Sequence, residues 1–188
     1  YVIDDMIKRI KGLSEKDLVW LNMPSDNELE ASEIKGIYIG NFFKWDPNIH
    51  ANEMKEKYGF EFAEYPFERT YRIMSNLDDM HENGIHDYLK YIKFGYGRAT
   101  DHASKDIRSG YLTREQGIEM VKKYDHVKPT KDLLRWLHYV EMTEEEFDKI
   151  ADGFRDHRVW WIQDGKWWKN NLWGNASSYE DVKLPSDQ

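Results

Sequence analysis

Apolar residues recur at the three- and four-residue spacing of amphipathic helices throughout residues 84–154, and this pattern constrains the fold more than any other feature. Capping boxes, which pair a threonine with a glutamine or glutamate three positions later, open two of the segments. These pairs are Thr113 with Gln116 and Thr143 with Glu146. Thr130 is a further candidate helix cap. The pattern predicts consecutive helices, one of them over residues 98–108, and excludes an extended sheet in this region.

The N-terminal part of the chain gives shorter signals. The run IKGIYIG at residues 34–40 is bounded by glycines and predicts a short strand. Asp46 followed by Pro47 is typical of a helix start, and Gly59 is typical of a helix end. The predicted elements are a helix over residues 2–12, a short helix over 14–21, irregular chain over 22–33, the strand, a helix over 47–58, and a loop with some extended structure over 60–80.

The C-terminal part combines a tryptophan-rich segment with a polar end. Residues 158–169, RVWWIQDGKWWK, predict a β-hairpin that turns at Asp164-Gly165. Its four tryptophans can pack across the strands or stack on a sugar or base. Residues 174–188 predict a loose polar tail. The fold class expected from the whole pattern is therefore an α-rich α+β fold, mainly helical, with one short strand and a C-terminal β-hairpin.

Composition excludes several classes of protein. The 188 residues carry a formal net charge of −8, the wrong sign for a generic nucleic-acid binder. There is no cysteine, which excludes disulfides, thiol nucleophiles and cysteine metal sites within this sequence. The sequence shows neither a membrane-spanning apolar run nor a signal peptide, so we expect a cytoplasmic protein without membrane insertion.

The candidate site begins at the glycine-rich turn KFGYGR, residues 93–98. On a helix over residues 98–108, charged and proton-carrying side chains share one face, opposite a face of small residues. The members of this charged face are Arg98, Asp101, His102, Lys105, Asp106 and Arg108. Lys93 precedes the turn, and Arg98 lies where helix amides favour anions and is expected to point towards solvent or ligand. The alternative is a solvated face with an ordinary Asp101–Lys105 pair.

Other acidic and histidine residues give weaker signals. Asp78 and Asp79 can bind a metal or orient a base, but paired acids are also common in turns. His50, His81 and His86 lack the spacing of a zinc site.

The run IKFGYGRATDHASKDIRSGYLTREQGIEMVKKYD, residues 92–125, closely resembles the C-terminal half of the N-acetyl sugar amidotransferases, which belong to the PP-loop ATPases. Further similar segments are KGLSEKDLVWL (11–21), GIYIGNFFKWDP (36–47), KYGF (57–60), RTYRIMSNLDD (69–79) and YVEMTEEEFDKIADGFR (139–155). The resemblance covers about nine-tenths of the chain, and residues 92–125 are its most specific part.

The resemblance implies an enzyme of bacterial surface-polysaccharide or nonulosonic-acid biosynthesis. Such an enzyme converts an acetamido group on a nucleotide-linked amino sugar into an acetamidino group. ATP with Mg activates the amide oxygen, and ammonia then attacks the carbon. The implied partners are the nucleotide-sugar substrate and glutaminase and cyclase-like subunits that supply ammonia.

The family's phosphate-binding loop and N-terminal cysteines are missing from this sequence. The chain also begins at Tyr1 within an amphipathic pattern, so we expect the phosphate-binding loop upstream and the chain to be inactive alone. The implied organisation has four parts. They are the end of a HUP-like nucleotide-binding α/β domain (1–45), a helical substrate-facing domain (46–157), the β-hairpin (158–173) and the polar tail (174–188).

The resemblance identifies positions, and the side-chain chemistry predicts roles. Asp101 or His102 is expected to orient the reacting amide or to take a proton from ammonia. The predicted substrate-binding residues are Lys93, Arg98, Lys105, Arg108, Asp78 and Asp79, and no metal ligand is predicted. An alternative is a helical interaction module that docks a partner through the tryptophan hairpin and helix 143–154. A nucleic-acid-modifying PP-loop relative is disfavoured by the acidic composition.

Overall fold

The computed structural model describes residues 3–21, 23–75 and 82–184. It divides into two compact units, Tyr1–Trp45 and Asp46–Gln188. The candidate residues Asp78 and Asp79, and also His81, lie outside the described residues. Among the helices in the described ranges, none is long and apolar enough to cross a membrane.

The first unit is built from short helical segments. They are α1 (Ile3–Arg9), a 3-10 helix (Glu15–Leu21), α2 (Asp26–Ala31) and a 3-10 turn (Ile39–Asn41). Helix α2 corrects the prediction of irregular chain over residues 22–33. The missed signal is a capping box, in which Ser25 caps the helix and the Glu28 side chain accepts from the Ser25 amide.

The strand predicted over residues 34–40 is wrong. Residues 34–38 form no regular element, and a 3-10 turn follows at Ile39–Asn41. A strand needs a neighbouring strand to bind its backbone N–H and C=O groups. All strands in the described ranges lie between residues 160 and 181 and pair within one sheet. The run at residues 34–40 therefore has a strand-like sequence but no strand to pair with in these ranges.

The second unit contains the consecutive helices predicted from the periodicity. They are α3 (Pro47–Tyr58), α4 (Glu82–Phe94), α5 (Arg98–Arg108), α6 (Arg114–Tyr124), α7 (Lys131–Val140) and α8 (Glu144–Asp152). Helix α3 starts and ends as predicted, since the Asp46 side chain accepts from two backbone amides and Gly59 is left-handed with φ 71°. The main apolar core joins α4, α7 and α8, with Ile85, Leu133 and Phe147 among its buried members.

Three helix starts test the capping predictions. Thr113 and Thr143 both form the predicted capping boxes. Thr130 makes no side-chain cap, which corrects the third prediction. Glu68 caps α7 instead, because its carboxylate accepts from the amide of Thr130 at 3.0 Å and from that of Lys131 at 3.3 Å. A cap from a residue so distant in sequence leaves no local signal.

The C-terminal part forms a three-stranded antiparallel sheet in the order β1 (Trp160–Gln163), β2 (Lys166–Asn170) and β3 (Ala176–Asp181). The predicted hairpin is confirmed, and the α-rich α+β class with it. The loose tail predicted from residue 174 is wrong over β3. The Asn171 side chain donates to Ser177 Oγ at 2.8 Å and accepts from the Tyr179 hydroxyl at 2.5 Å, which fastens β3 to the end of β2.

The hairpin tryptophans lie on both faces of the sheet. Trp160 and Trp167 are fully buried and form a second core cluster with Tyr91 of α4. Trp161 and Trp168 are cross-strand neighbours. Packing therefore occupies Trp160 and Trp167, which are not available to stack on a ligand.

Candidate functional site

Helix α5 lies close against α6 because the residues between them are small. Ala99 and Ala103 are buried, and a Cβ at Gly117 would come within 2.7 Å of the Ile107 side chain. The opposite side of α5 carries the polar residues, as the sequence predicts. This packing fixes the helix that presents the candidate site.

Asp125 holds the N-terminus of α5. Its carboxylate accepts from the backbone amides of Gly97 at 2.8 Å and Thr100 at 3.0 Å, and from the Thr100 hydroxyl at 2.7 Å. These amides were predicted to favour a bound anion, but a carboxylate of the chain itself occupies them. Arg69 is buried beside this carboxylate and donates to the Asp125 carbonyl oxygen at 2.6 Å.

The guanidinium of Arg98 is part-exposed and binds Asp87 of α4, a partner that the sequence did not predict. Its Nε donates to both carboxylate oxygens at 3.0 and 2.9 Å, and its Nη2 donates to Oδ1 at 2.7 Å. The Arg98 side chain is 21% exposed and that of Asp87 is 4% exposed. The hydrogen bond to Asp87 is the main cause that raises the pKa of Arg98. Arg98 therefore neutralises the buried carboxylate of Asp87.

His102 lies one helical turn beyond Arg98. Its Nδ1 is 2.7 Å from the hydroxyl oxygen of Thr70, and its ring meets the Tyr71 ring edge-on. Burial, followed by the positive charge of Arg72 and then of Arg98, lowers the pKa of His102 to about 3. The imidazole is therefore neutral at physiological pH, with one N–H donor and one nitrogen lone pair.

Arg98 and His102 line one polar pocket, which we call the α5 pocket. The remaining lining residues are Phe67, Glu68, Arg69, Thr70, Met74, Ser75, Gly84, Asp87 and Asp132. The pocket therefore combines guanidinium groups, carboxylates and a neutral imidazole. Its volume is about 20 Å³, little more than a water molecule needs, so it can present these groups to an anionic or amide-bearing ligand but does not enclose one.

The rest of the predicted charged face does not converge on this pocket. Asp101 forms an ion pair with Lys90 of α4, in place of the expected pair with Lys105. Lys93 and Lys105 are exposed, and the exposed Arg108 donates to Ser104 Oγ at 2.6 Å. The structure thus brings Arg98 and His102 together and separates them from the lysines and Arg108.

Asp106 is buried, although the helical pattern placed it on the charged face. It accepts from Arg72 Nη2 at 2.5 Å, from the Asn48 amide at 3.2 Å, and from the Tyr71 hydroxyl. The carboxylate therefore ties α5 to α3 and to residues 71–72, and it serves packing rather than ligand binding.

Sequence analysis missed Thr70, Asp87 and Asp125. Arg69 and Arg72 stand out as charges in an aromatic segment, but nothing in one sequence shows that Thr70 between them faces His102. Asp87 lies off the apolar stripe of α4 and resembles a solvated acid. Asp125 also gives no local signal, because the Thr100 amide of α5 that it binds lies 25 residues earlier in the chain.

The described ranges contain no group of three or more histidine or acidic residues that could hold a metal ion. The substrate-binding role predicted for Asp78 and Asp79 falls outside these ranges.

Comparison with known proteins identifies the family. No curated protein matches the chain. A family model described as "LPS biosynthesis protein WbpG-like, C-terminal domain" matches residues 57–172, which include both Arg98 and His102. Since the match covers more than half of the chain, the protein belongs to the WbpG-like family of lipopolysaccharide biosynthesis proteins and carries its C-terminal domain.

Proposed function

We propose that this domain holds the sugar substrate of an ATP-dependent amidotransferase, which converts an acetamido group on a nucleotide-linked amino sugar into an acetamidino group. Membership of a lipopolysaccharide biosynthesis family supports a sugar substrate. The observation that carries the proposal is the α5 pocket, where the neutral His102 and the guanidinium of Arg98 lie beside buried polar groups.

The reaction replaces the amide oxygen by nitrogen. When bound, ATP would supply the activating group that makes this oxygen a leaving group. Ammonia would form the new C–N bond as the C–O bond breaks, and the oxygen would leave with the activating group. The sequence has no phosphate-binding glycine loop, so we assign the binding of ATP and magnesium mainly to the family's phosphate-binding loop rather than to the described residues.

His102 is suited to orient the reacting amide. A neutral imidazole with a low pKa is a weak base but a good hydrogen-bond partner for an uncharged amide. Burial is the main cause of the low pKa of His102, and nearby positive charges add to it. An anionic substrate close to Arg98 would offset only those charges, which would raise the pKa of His102 in part when substrate is bound. His102 would then accept a proton from the attacking ammonia, with Asp101 as the alternative acceptor.

Arg98 is suited to bind an anionic group of the substrate while it remains bound to Asp87. One edge of a guanidinium can bind a carboxylate and leave the other N–H groups for a ligand. Lys93, Lys105 and Arg108 are exposed and remain candidates for the outer phosphates of the nucleotide. The roles of Asp78 and Asp79 also remain proposals.

Ammonia would come from a glutaminase through a cyclase-like subunit, and free ammonia should replace both. The test uses the protein as its gene encodes it, a panel of nucleotide-linked acetamido sugars, ATP and nitrogen-15 ammonia. We expect one nitrogen-15 atom in the sugar product, detected by mass spectrometry, only when ATP is present. If no sugar in the panel gains the label, the proposal fails.

The second candidate function is a module that docks a partner subunit. The observation that favours it is the exposure of Ile150 in the last turn of α8 and of Phe154 just beyond the helix. Replacing both by serine separates the two functions. A docking role predicts loss of labelled product with glutamine as the nitrogen source and normal product with free ammonia.

A further inference from the structure

A second cavity lies on the other side of α5 and shares no lining residue with the α5 pocket. It is bounded by the C-terminus of α4, by α6 and by the sheet, and its volume is about 210 Å³. This volume is below the range of pockets that take drug-sized ligands, so the cavity suits a smaller ligand. We call it the Lys169 cavity, after the cation that lines it together with Tyr91, Phe94, Tyr96, Trp173 and Tyr179.

Lys169 of β2 is a buried cation with weak partners. The residue is 8% exposed. Its Nζ donates to the Asn171 side-chain oxygen at 3.1 Å and to the Asn170 carbonyl at 3.3 Å. In the described ranges, no carboxylate lies within ion-pair distance of it. Burial lowers the pKa of Lys169, as expected for an ammonium group removed from water without a direct counter-ion.

Asp125 is the acidic group whose charge acts on Lys169. It lines the same cavity, but three donors at the start of α5 already hold both of its carboxylate oxygens. Its remaining influence on Lys169 is long-range and opposes the effect of burial. A ligand anion would supply the direct contact that Asp125 does not make.

Aromatic rings surround the Lys169 ammonium. The ring centres of Tyr179, Tyr91 and Trp160 lie 5.3, 5.9 and 6.0 Å from its Nζ. Phe94 and Tyr96 stand at the mouth, 46% and 42% exposed. Exposed rings at the mouth offer flat faces to the C–H groups of a sugar, and the buried cation offers charge to an acidic substituent.

We propose that the Lys169 cavity binds an anionic sugar, with the ring against the aromatic side chains and its carboxylate or phosphate on Lys169. The proposal does not depend on amidotransfer, because it concerns binding at a separate cavity. Binding at this cavity is tested without ATP or ammonia. A failure to bind the sugar is therefore distinguishable from a failure of amidotransfer.

The experiment is titration calorimetry of the protein with three probes: glucuronate, glucose 1-phosphate and glucose. We expect at least one anionic probe to bind at least about tenfold more tightly than glucose, the usual effect of a charge-assisted hydrogen bond. The carboxylate and phosphate probes distinguish the two possible anionic groups. Equal binding of glucose and both anions, or no binding of any probe, would overturn the proposal.

Matched variants locate the bound probe. Lys169→Met removes the buried charge at similar volume, and Lys166→Met removes an exposed charge on the same strand, paired with Asp181 at 3.3 Å. We expect Lys169→Met to weaken the anionic probe about tenfold or more and Lys166→Met to leave it unchanged. Tyr96→Ala, at the exposed mouth, should also weaken binding and guards against a folding defect in Lys169→Met. Unchanged binding in both Lys169→Met and Tyr96→Ala would refute the site.

Discussion

The pairing of Arg98 with Asp87 changes what a mutation at Arg98 should do. An exposed arginine could be removed at little cost, whereas removal of Arg98 leaves a buried carboxylate without its main partner. We expect Arg98→Ala to lower the free energy of unfolding by about 2–4 kcal/mol, measured by urea denaturation. The cost should shrink in an Asp87→Asn background, which has no buried charge to balance. A loss below about 0.5 kcal/mol would show that Arg98 behaves as an exposed residue and does not stabilise the buried Asp87.

The low pKa of His102 predicts how stability depends on pH. The folded-state pKa is about 3 and the unfolded value is 6.5, so the unfolded state binds more protons between these values. This contribution to stability is complete above pH 6.5 and is lost as the pH falls towards 3. At pH 5.5 the loss should be about 1.4 kcal/mol relative to pH 7.5.

The comparison that isolates this loss uses His102→Asn, which has no titrating ring, and His138→Asn, which removes an exposed histidine of α7. Urea denaturation at the two pH values should show a smaller loss for His102→Asn than for the wild type. For His138→Asn, the loss of stability between the two pH values should be close to that of the wild type. If His102→Asn keeps the full pH dependence of the wild type, the imidazole is not held neutral.

At the scale of elements, distant carboxylates decide where two helices begin. Asp125 holds the start of α5, and Glu68 caps α7. We expect Asp125→Ala to cost about 2–4 kcal/mol, because it leaves the buried amide of Gly97 and the part-buried amide and hydroxyl of Thr100 without their acceptor. Thr113→Ala, which removes the local cap of α6, should cost about 1 kcal/mol. Urea denaturation of the two variants measures the difference, and equal costs would show that Asp125 is an ordinary cap.

The elements that the sequence predicts well are those with local causes. Helices α6 and α8 follow from periodicity and capping residues, α5 follows from periodicity alone, and the hairpin follows from its Asp-Gly turn. The strand expected over residues 34–40 fails because pairing depends on a partner, which local sequence does not specify. Strand β3 was missed because Asn171 and Tyr179 hold it through contacts beyond any local pattern.

At the scale of the whole molecule, the candidate site could be predicted in part. The helical pattern correctly placed Arg98 and His102 near each other, one turn apart on α5. It could not show that α4 and residues 69–72 supply Asp87 and Thr70, because these contacts depend on how the helices pack. It also placed Lys105 and Arg108 on the same face, whereas the pocket is confined to the first turns of the helix.

The most direct test of the account is the turnover of the gene-encoded protein with its sugar nucleotide, ATP and free ammonia, in His102→Asn and in the matched His138→Asn. We expect His102→Asn to lower kcat by about a hundredfold or more, as for the loss of a group that takes part in proton transfer. His138→Asn should leave kcat unchanged. A wild-type kcat in His102→Asn, with the variant folded, would contradict the placement of the reacting amide in the α5 pocket.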